Sequence, residues 1–155
     1  MEREEQRRLF EAYADDVFRL AYSYLGSAQD AEDVCQTVFL RLAEGRTGPR
    51  PGKEKQWLLT CAANASKDLL RSFWRRNVGE LSEDVPAARE DGELYRAVMS
   101  LPPKYRAVVH LYYYEGIGQR EIGEILHISR TAVQTRMSRA RAMLRKELSD
   151  DPGEI

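Results

Sequence analysis

The side chains best suited to recognising nucleic acid lie on one face of the last helix-forming segment, residues 130–147. Gln and Arg side chains can read adenine and guanine, whereas Thr and Ser contact phosphates or bases. The opposite face of this segment is apolar, with Val133, Met137, Ala140 and Leu144 at helical spacing. The expected DNA-contacting residues are Arg130, Thr131, Gln134, Thr135, Ser138, Arg139 and Arg141.

Two shorter elements must position this segment on DNA. The spacing predicts a two-turn helix at Gln119–Leu126 and a three-residue turn before the long helix, preceded by a helix from the Pro102-Pro103 pair to about Tyr114. Ser129 is suited to cap the long helix, and Gly123 to a place where two helices cross closely. A short helix, a tight turn and a long helix with a basic outer face form a helix-turn-helix that docks in the major groove. The alternative is a plain helical hairpin with a basic exposed side.

Positive charge is concentrated in two blocks, although the net charge of the chain is only −1. Residues 46–78 carry eight basic and two acidic side chains, and residues 94–146 carry ten and three. The segment 79–93 between them carries one basic and six acidic side chains. This segregation predicts two polyanion-binding surfaces, with solvated helix faces as the alternative.

The apolar periodicity predicts an all-α chain of two small helical domains joined by a flexible linker. Helices are expected at about Glu5–Leu25, between Ser27 and Gly45, and at about Glu54–Trp74, and Gly26 is expected to end the first. The expected organisation is a domain at residues 1–76, an acidic linker at 77–91, a helix-turn-helix domain at 92–148 and an acidic tail at 149–155.

The sequence also argues against several other classes of protein. No apolar run approaches the roughly 20 residues of a membrane span, and the charged N-terminus lacks the apolar region of a signal peptide. A cytoplasmic location without membrane insertion is therefore expected. Cys35 and Cys61 are too few for a disulfide framework, and buried thiols are favoured over a redox or metal role. With no Gly-rich phosphate loop, Ser/His/Asp arrangement or HExxH motif, no enzymatic activity, cofactor or metal is expected.

Several segments resemble the two promoter-binding regions of bacterial sigma factors. Residues 101–111, 113–116, 121–126 and 133–144 resemble region 4, and residues 30–42, 57–59 and 64–71 resemble region 2. Two such blocks in this order, with a short linker, look like the compact extracytoplasmic-function (ECF) group. The resemblance implies a non-enzymatic initiation factor that binds core RNA polymerase, recognises a promoter and helps to open it, often under control of an anti-sigma factor. A stand-alone helix-turn-helix regulator is the alternative, but it would not need the region 2 block.

The resemblance also implies roles for individual residues. The face expected to dock on the β′ coiled coil of core polymerase consists of Asp33, Gln36, Thr37 and Leu40. The residues expected to bind and melt the minus-ten element are Trp57, Asn64, Lys67, Asp68, Arg71, Arg75 and Arg76. Region 4 is expected to bind the minus-thirty-five element and the β flap. Single-stranded bases need a stacking ring or a pocket, and their backbone needs positive charge.

Several of these residues also have a purely structural interpretation. Trp57 fits a core position as well as a base-facing one. Asn64 and Asp68, four residues apart, could equally stabilise the helix by a local hydrogen bond. Asp33 is also suited to serve only as a charge at the positive end of a helix.

Four positions depart from the usual pattern of the family. His127 stands in the turn where Gly is usual, and it is strained if its φ is positive. Ala132 replaces a Thr that contacts phosphate, and Thr131 is the expected substitute. Gln134 replaces a common Lys, and Gln119 a common Tyr. These departures leave the expected fold unchanged and leave the promoter sequence open.

Overall fold

Helices make up most of the described part of the chain, residues 2–76 and 92–149, in a computed structural model. They are α1 (Arg3–Leu25), α2 (Ala28–Glu44), α3 (Glu54–Arg76), α4 (Gly92–Met99), α5 (Pro103–Val109), α6 (Gln119–Leu126) and α7 (Arg130–Ser149). The expected all-α class is confirmed, since no strand occurs among the described residues. The described residues divide into two compact units, of which unit 1 lies within residues 1–83 and unit 2 within residues 84–155. The expected linker and tail residues 150–155 lie outside the described residues.

Capping residues define the ends of the first two helices. Gly26 ends α1 in the left-handed conformation, with φ of 69°, and its N–H donates to the carbonyl of Tyr22 at 2.8 Å. Ser27 caps α2, because its hydroxyl accepts a hydrogen bond from the N–H of Asp30 at 3.2 Å. Gly45 ends α2 with φ of 75°. The three predicted caps are therefore confirmed.

Helices α1, α2 and α3 pack against each other around the core of unit 1. The buried side chains come from all three helices and include Leu9, Leu20, Val38, Leu42 and Leu58. Full burial of one such side chain contributes roughly 1.5–3 kcal/mol. This packing decides which faces of α2 and α3 remain outward.

Both cysteines are free thiols buried in unit 1, as predicted. Burial raises the pKa of the Cys35 thiol, and the carboxylates of Glu32 and Asp15 raise it further. Burial also raises the pKa of Cys61, although Arg41 acts in the opposite direction. Both thiols are therefore protonated at neutral pH, which makes them poor nucleophiles and poor metal ligands.

Helices α4 to α7 form unit 2, in which α7 packs against α4, α5 and α6. Pro103 lies in the first turn of α5, as predicted, where its missing N–H is not needed. The predicted end of this helix near Tyr114 is confirmed, but its last turn is not α-helical. Beyond α5 the backbone widens into a π-helical turn at His110–Tyr114, closed by the Glu115 N–H donating to the carbonyl of His110 at 3.0 Å.

The π-helical turn brings two ionisable side chains together inside unit 2. Nε2 of His110 and Oε2 of Glu115 lie 3.5 Å apart, with only 13% and 4% of their side chains exposed. In a regular α-helix, residues five apart point in directions about 140° apart. Helical spacing therefore could not predict this pair.

Membrane-spanning helices and metal centres are both absent from the part of the chain that the structure describes. No helix there is both long and apolar enough to cross a bilayer. No group of three or more His, Cys, Asp or Glu side chains there is arranged to hold a metal ion. The described surface offers polar and charged helix faces instead.

Candidate nucleic-acid interface

The helix-turn-helix of unit 2 consists of α6, the turn 127–129 and α7. Gly123 lies where the turn passes closest to α6, since a Cβ atom at this position would lie 2.7 Å from the carbonyl oxygen of Ile128. Real Cβ atoms do not come this close to backbone atoms, so the approach requires Gly. The predicted close approach at Gly123 is confirmed, but its nearest neighbour is the backbone of the turn and not a crossing helix.

Hydrogen bonds at both ends hold the turn in place. His127 has φ of 59° and ψ of 45°, and it is the one non-Gly residue with positive φ among the described residues. Its N–H and that of Ile128 both donate to the carbonyl of Gly123. Ser129 caps α7, as predicted, because its hydroxyl accepts a hydrogen bond from the Ala132 N–H at 3.0 Å. A non-Gly residue in this conformation costs roughly 1–2 kcal/mol, so His127 stores strain in the turn.

The predicted apolar face of α7 packs inward. Val133, Met137 and Ala140 are fully buried, and Leu144 packs against the hydrophobic cluster to which Ala140 belongs. The opposite face is therefore turned to solvent. The exposed residues on it are Arg130, Thr131, Gln134, Thr135, Ser138 and Arg139. Six of the seven expected contact residues thus share one outward surface.

The seventh residue, Arg141, is only partly exposed and contacts the turn that precedes the helix-turn-helix. Its Nε donates a hydrogen bond to the hydroxyl of Tyr113 at 2.9 Å, and its guanidinium carbon lies 5.8 Å from the centre of the tyrosine ring. The two residues are 28 positions apart. Spacing along α7 therefore could not predict this partner.

The outward face of α3 carries most of the residues expected to bind single-stranded DNA. Asn64, Asp68 and Arg71 are exposed, while Trp57 and Lys67 are partly buried. Nη2 of Arg71 donates to the Asp68 carboxylate at 2.7 Å. A local bond of Asp68 was an alternative from the sequence, but the partner in the structure is Arg71 and not Asn64.

Trp74 extends this face of α3 and was missed by the sequence analysis. This residue is 59% exposed, and it follows Lys67 and Arg71 at helical spacing. An exposed ring beside cationic side chains can stack on an unpaired base. Extending the Lys67–Arg71 stripe by three residues would have found it. The side chains of Arg75 and Arg76, in the last turn of α3, lie outside the described residues.

The outward face of α2 carries the four residues expected to contact the polymerase. Asp33, Gln36, Thr37 and Leu40 are all exposed, and Leu40 is 64% exposed. Their spacing places them on one side of the helix. An exposed apolar side chain surrounded by polar groups matches the mixed composition of a protein–protein interface.

Comparison with known proteins matches both units to the same family. Residues 9–76 match the family model of Sigma-70 region 2, and residues 91–144 match that of Sigma-70, region 4. The chain is 34% identical to the ECF RNA polymerase sigma factor SigE of Mycolicibacterium smegmatis over 94% of its own length. It is 30% identical to the ECF RNA polymerase sigma factor SigW of Bacillus subtilis over 92%. The chain belongs to the ECF sigma factors.

This ECF sigma factor spans 62% of the length of the SigE relative and 88% of the SigW relative. Its matched region 2 lies within unit 1 and its matched region 4 within unit 2. A stand-alone helix-turn-helix regulator is therefore not favoured.

Solved structures share the fold of this ECF sigma factor. The sigma factor RpoE from Bartonella quintana, in complex with the anti-sigma factor NepR, matches with a TM-score of 0.79 at 19% identity, over 96% of this chain and 99% of that one. CnrH, in complex with the cytosolic domain of CnrY, matches with a TM-score of 0.69 at 25% identity, over 97% of this chain and 91% of that one.

Proposed function

We propose that this ECF sigma factor binds core RNA polymerase in the cytoplasm, recognises promoter DNA through both units and initiates transcription. The observation that carries the proposal is one chain with an exposed recognition helix in region 4 and exposed α2 and α3 faces in region 2. A protein that only binds duplex DNA needs the first and not the second. The role is one of binding and not of catalysis.

The proposed division of labour follows the two units. Residues 1–76 bind core polymerase and the minus-ten element, and residues 92–148 bind the minus-thirty-five element. The acidic linker at 77–91 joins them, and the acidic tail occupies 149–155. Each of the two units therefore has its own binding surface, which can be tested separately.

The outer face of α7 is the proposed reader of the minus-thirty-five element. Gln134 and Arg139 carry the hydrogen-bonding groups that adenine and guanine require. Thr131, in the first turn, supplies a hydroxyl beside Ala132 for a backbone phosphate. The basic residues exposed on α7, including Arg130 and Arg145, add sequence-independent attraction to the phosphates.

The outer face of α3 is the proposed site for the melted minus-ten strand. Lys67 and Arg71 supply positive charge for the backbone, and Trp57 supplies a ring for a base. Arg71 must exchange the Asp68 carboxylate for a phosphate. Because an exposed ion pair of this kind contributes only about 0–1 kcal/mol, the exchange costs little.

The α2 face is the proposed contact with the β′ coiled coil, and unit 2 the proposed contact with the β flap. Asp33 and Gln36 offer polar groups to the partner, and Leu40 offers apolar area. Burying a largely exposed leucine contributes about 1–2 kcal/mol.

An anti-sigma factor is a further proposed partner. In the two solved structures, RpoE is bound to the anti-sigma factor NepR, and CnrH to the cytosolic domain of CnrY. A partner of this kind would keep this chain inactive by covering surfaces that polymerase or promoter DNA must reach.

A pull-down with core polymerase tests the α2 face. We expect the wild-type chain to retain core polymerase and the Asp33→Ala, Gln36→Ala double variant to retain at least about tenfold less, which corresponds to 1.4 kcal/mol. Asp15→Ala is the matched control, since it removes an 88% exposed carboxylate from α1. Normal retention by the double variant would place the contact elsewhere. No complex with the wild-type chain would favour a stand-alone regulator.

Substitution of the α7 face tests promoter reading. Gln134→Ala and Arg139→Ala should each weaken promoter binding by about 1–3 kcal/mol without lowering the Tm of unit 2. Arg96→Ala, an exposed charge on α4, is the control for loss of positive charge alone. Normal promoter activity in both α7 variants would overturn the choice of outer face.

A further inference from the structure

We infer that Tyr113 and Arg141 form a preorganised clamp for one backbone phosphate of promoter DNA, beside the recognition helix α7. Arg141 is the phosphate ligand, and Tyr113 is a positioning residue that holds its guanidinium group. The inference rests on the proposed DNA-binding function of region 4 and adds to it a residue outside the helix-turn-helix.

The two side chains meet at the surface of unit 2 in a defined geometry. Nε of Arg141 donates to the tyrosine hydroxyl at 2.9 Å, and the guanidinium carbon lies 5.8 Å from the ring centre. A hydrogen bond and a cation–π contact therefore hold the same group. The bond uses one of the five N–H donors of the guanidinium, so the two Nη atoms keep four. Among the described residues, no protein group engages them.

The π-helical turn at His110–Tyr114 is what presents Tyr113 to α7. Tyr113 is 58% exposed, so apolar packing does not account for its position. The ring of Tyr112 supports it in an edge contact, with centres 5.0 Å apart. Single π-helical turns are frequent at functional sites because they redirect side chains. Here the redirected side chain meets an arginine of the recognition helix.

Arg141 lies on the flank of the DNA-facing surface of α7. In projection it falls about 20° from Gln134, and it lies about 10 Å further along the helix axis. The N-terminal part of a recognition helix contacts bases, so a residue this far along meets the phosphates that border the groove. Arg145, about 20° to the other side of Gln134, continues the positive stripe.

The open end of this guanidinium suits an acceptor with two oxygens, and the charge around it favours a phosphate. Two parallel N–H groups of arginine match two phosphate oxygens. A side chain that is already held loses less rotamer freedom on binding, which favours a preorganised ligand. The excess of ten basic over three acidic side chains in residues 94–146 favours a polyanion over a protein carboxylate.

The test uses holoenzyme, reconstituted from the full chain and core polymerase, and a fluorescent promoter duplex selected from a library. Dissociation constants are measured between about 50 and 200 mM salt. One phosphate contact contributes about 0.9 to the salt slope, equivalent to about 15-fold in affinity at 50 mM and about fourfold at 200 mM. We expect Arg141→Ala to bind the promoter more weakly by these factors, with a salt slope smaller by about 0.9. Tyr113→Ala should give an intermediate loss and slope, and Tyr113→Phe a smaller loss because the ring remains.

Matched variants separate the clamp from a merely structural role. Arg96→Ala removes a positive charge on α4, and Tyr114→Ala removes an equally exposed ring from the same turn, so both should keep the wild-type slope. The Tyr113→Ala, Arg141→Ala double variant should bind like Arg141→Ala alone, because the tyrosine acts through the arginine.

The outcomes distinguish this inference from the proposed function. Unchanged salt slopes in Arg141→Ala and Tyr113→Ala, with the promoter still bound, would overturn the clamp and leave the proposed function intact. Additive losses in the double variant would overturn the positioning role. A wild-type holoenzyme that selects no promoter would contradict the proposed function itself.

Discussion

Replacing Gly123 by alanine tests the turn that positions the recognition helix. In an ordinary helix this change stabilises by about 1 kcal/mol, because Ala has the higher helix propensity. Here the new Cβ would stand 2.7 Å from the carbonyl oxygen of Ile128. The turn cannot simply move away, since the Ile128 N–H donates to the Gly123 carbonyl at 3.0 Å. We therefore expect Gly123→Ala to destabilise unit 2, whereas the same change stabilises an ordinary helix.

The expected loss follows from these contacts. Overpacking of this kind costs about 1–3 kcal/mol, and weakening a hydrogen bond of the turn costs about 1 kcal/mol more. After the gain in helix propensity is subtracted, unit 2 should lose about 2 kcal/mol of unfolding free energy. For a domain of this size, the Tm should fall by about 8–16 °C.

Thermal unfolding followed by two probes measures this loss. Trp57 and Trp74, the only tryptophans, both lie in unit 1, so their fluorescence reports unit 1 while circular dichroism reports both units. Only the dichroism transition of unit 2 should move. Gly118→Ala is the control for the added methyl group: nothing lies within 4 Å of its Cβ position, so it should lose only the preference for Gly at the N-cap of α6. A Gly123→Ala protein as stable as the wild type would refute the close approach.

Three further predictions concern the turn, the thiols and α3. His127→Gly should raise the unfolding free energy of unit 2 by up to about 1 kcal/mol and His127→Val should lower it, because only Gly adopts positive φ freely; equal stabilities in denaturant titrations would contradict the strain. Native Cys35 and Cys61 should react with a thiol reagent more slowly than free cysteine, because their raised pKa leaves less thiolate at a given pH. Their reaction should become faster as the pH rises, because more thiolate forms. Reaction at the free-cysteine rate would disprove their burial. Trp74→Ala should weaken binding of single-stranded promoter DNA by holoenzyme by about 1–3 kcal/mol, and Trp74→Phe less; unchanged binding would exclude stacking.

Features decided by neighbouring residues were predictable from the sequence. Ser27 and Ser129 cap their helices because a hydroxyl two or three residues from an orphan N–H is all that a cap needs. Gly26 ends α1 because only Gly takes a positive φ without strain. The apolar face of α7 follows from helical spacing alone, and Val133 and Met137 are buried as that spacing predicts.

Features decided by distant partners were not predictable. Arg141 bonds to a tyrosine 28 residues away, and spacing along α7 carries no information about it. The π-helical turn brings His110 and Glu115 together inside unit 2, and a regular helical pattern does not encode this pair. Helical spacing allows Asp68 to bond with either Asn64 or Arg71. The side-chain conformations determine that the partner is Arg71.

The base that each α7 residue reads is a third kind of question. Gln134 and Arg139 are exposed on the outer face, as expected. Which base each one meets depends on the docking angle of α7 in the groove, and DNA sets that angle together with the protein. Neither the sequence nor the free chain contains this information, so the promoter contacts stay predictions.

Run-off transcription from a promoter library tests the central claim most directly. Core polymerase alone, core polymerase with the wild-type chain, and core polymerase with the Asp33→Ala, Gln36→Ala variant are compared on the same templates. We expect the wild-type chain to direct initiation from a subset of templates that share two sequence elements, and the double variant to give far fewer transcripts. A second sigma factor serves as the control that the core polymerase is active. If that control gives transcripts and this chain gives none, the claim that this chain is an initiation factor is contradicted.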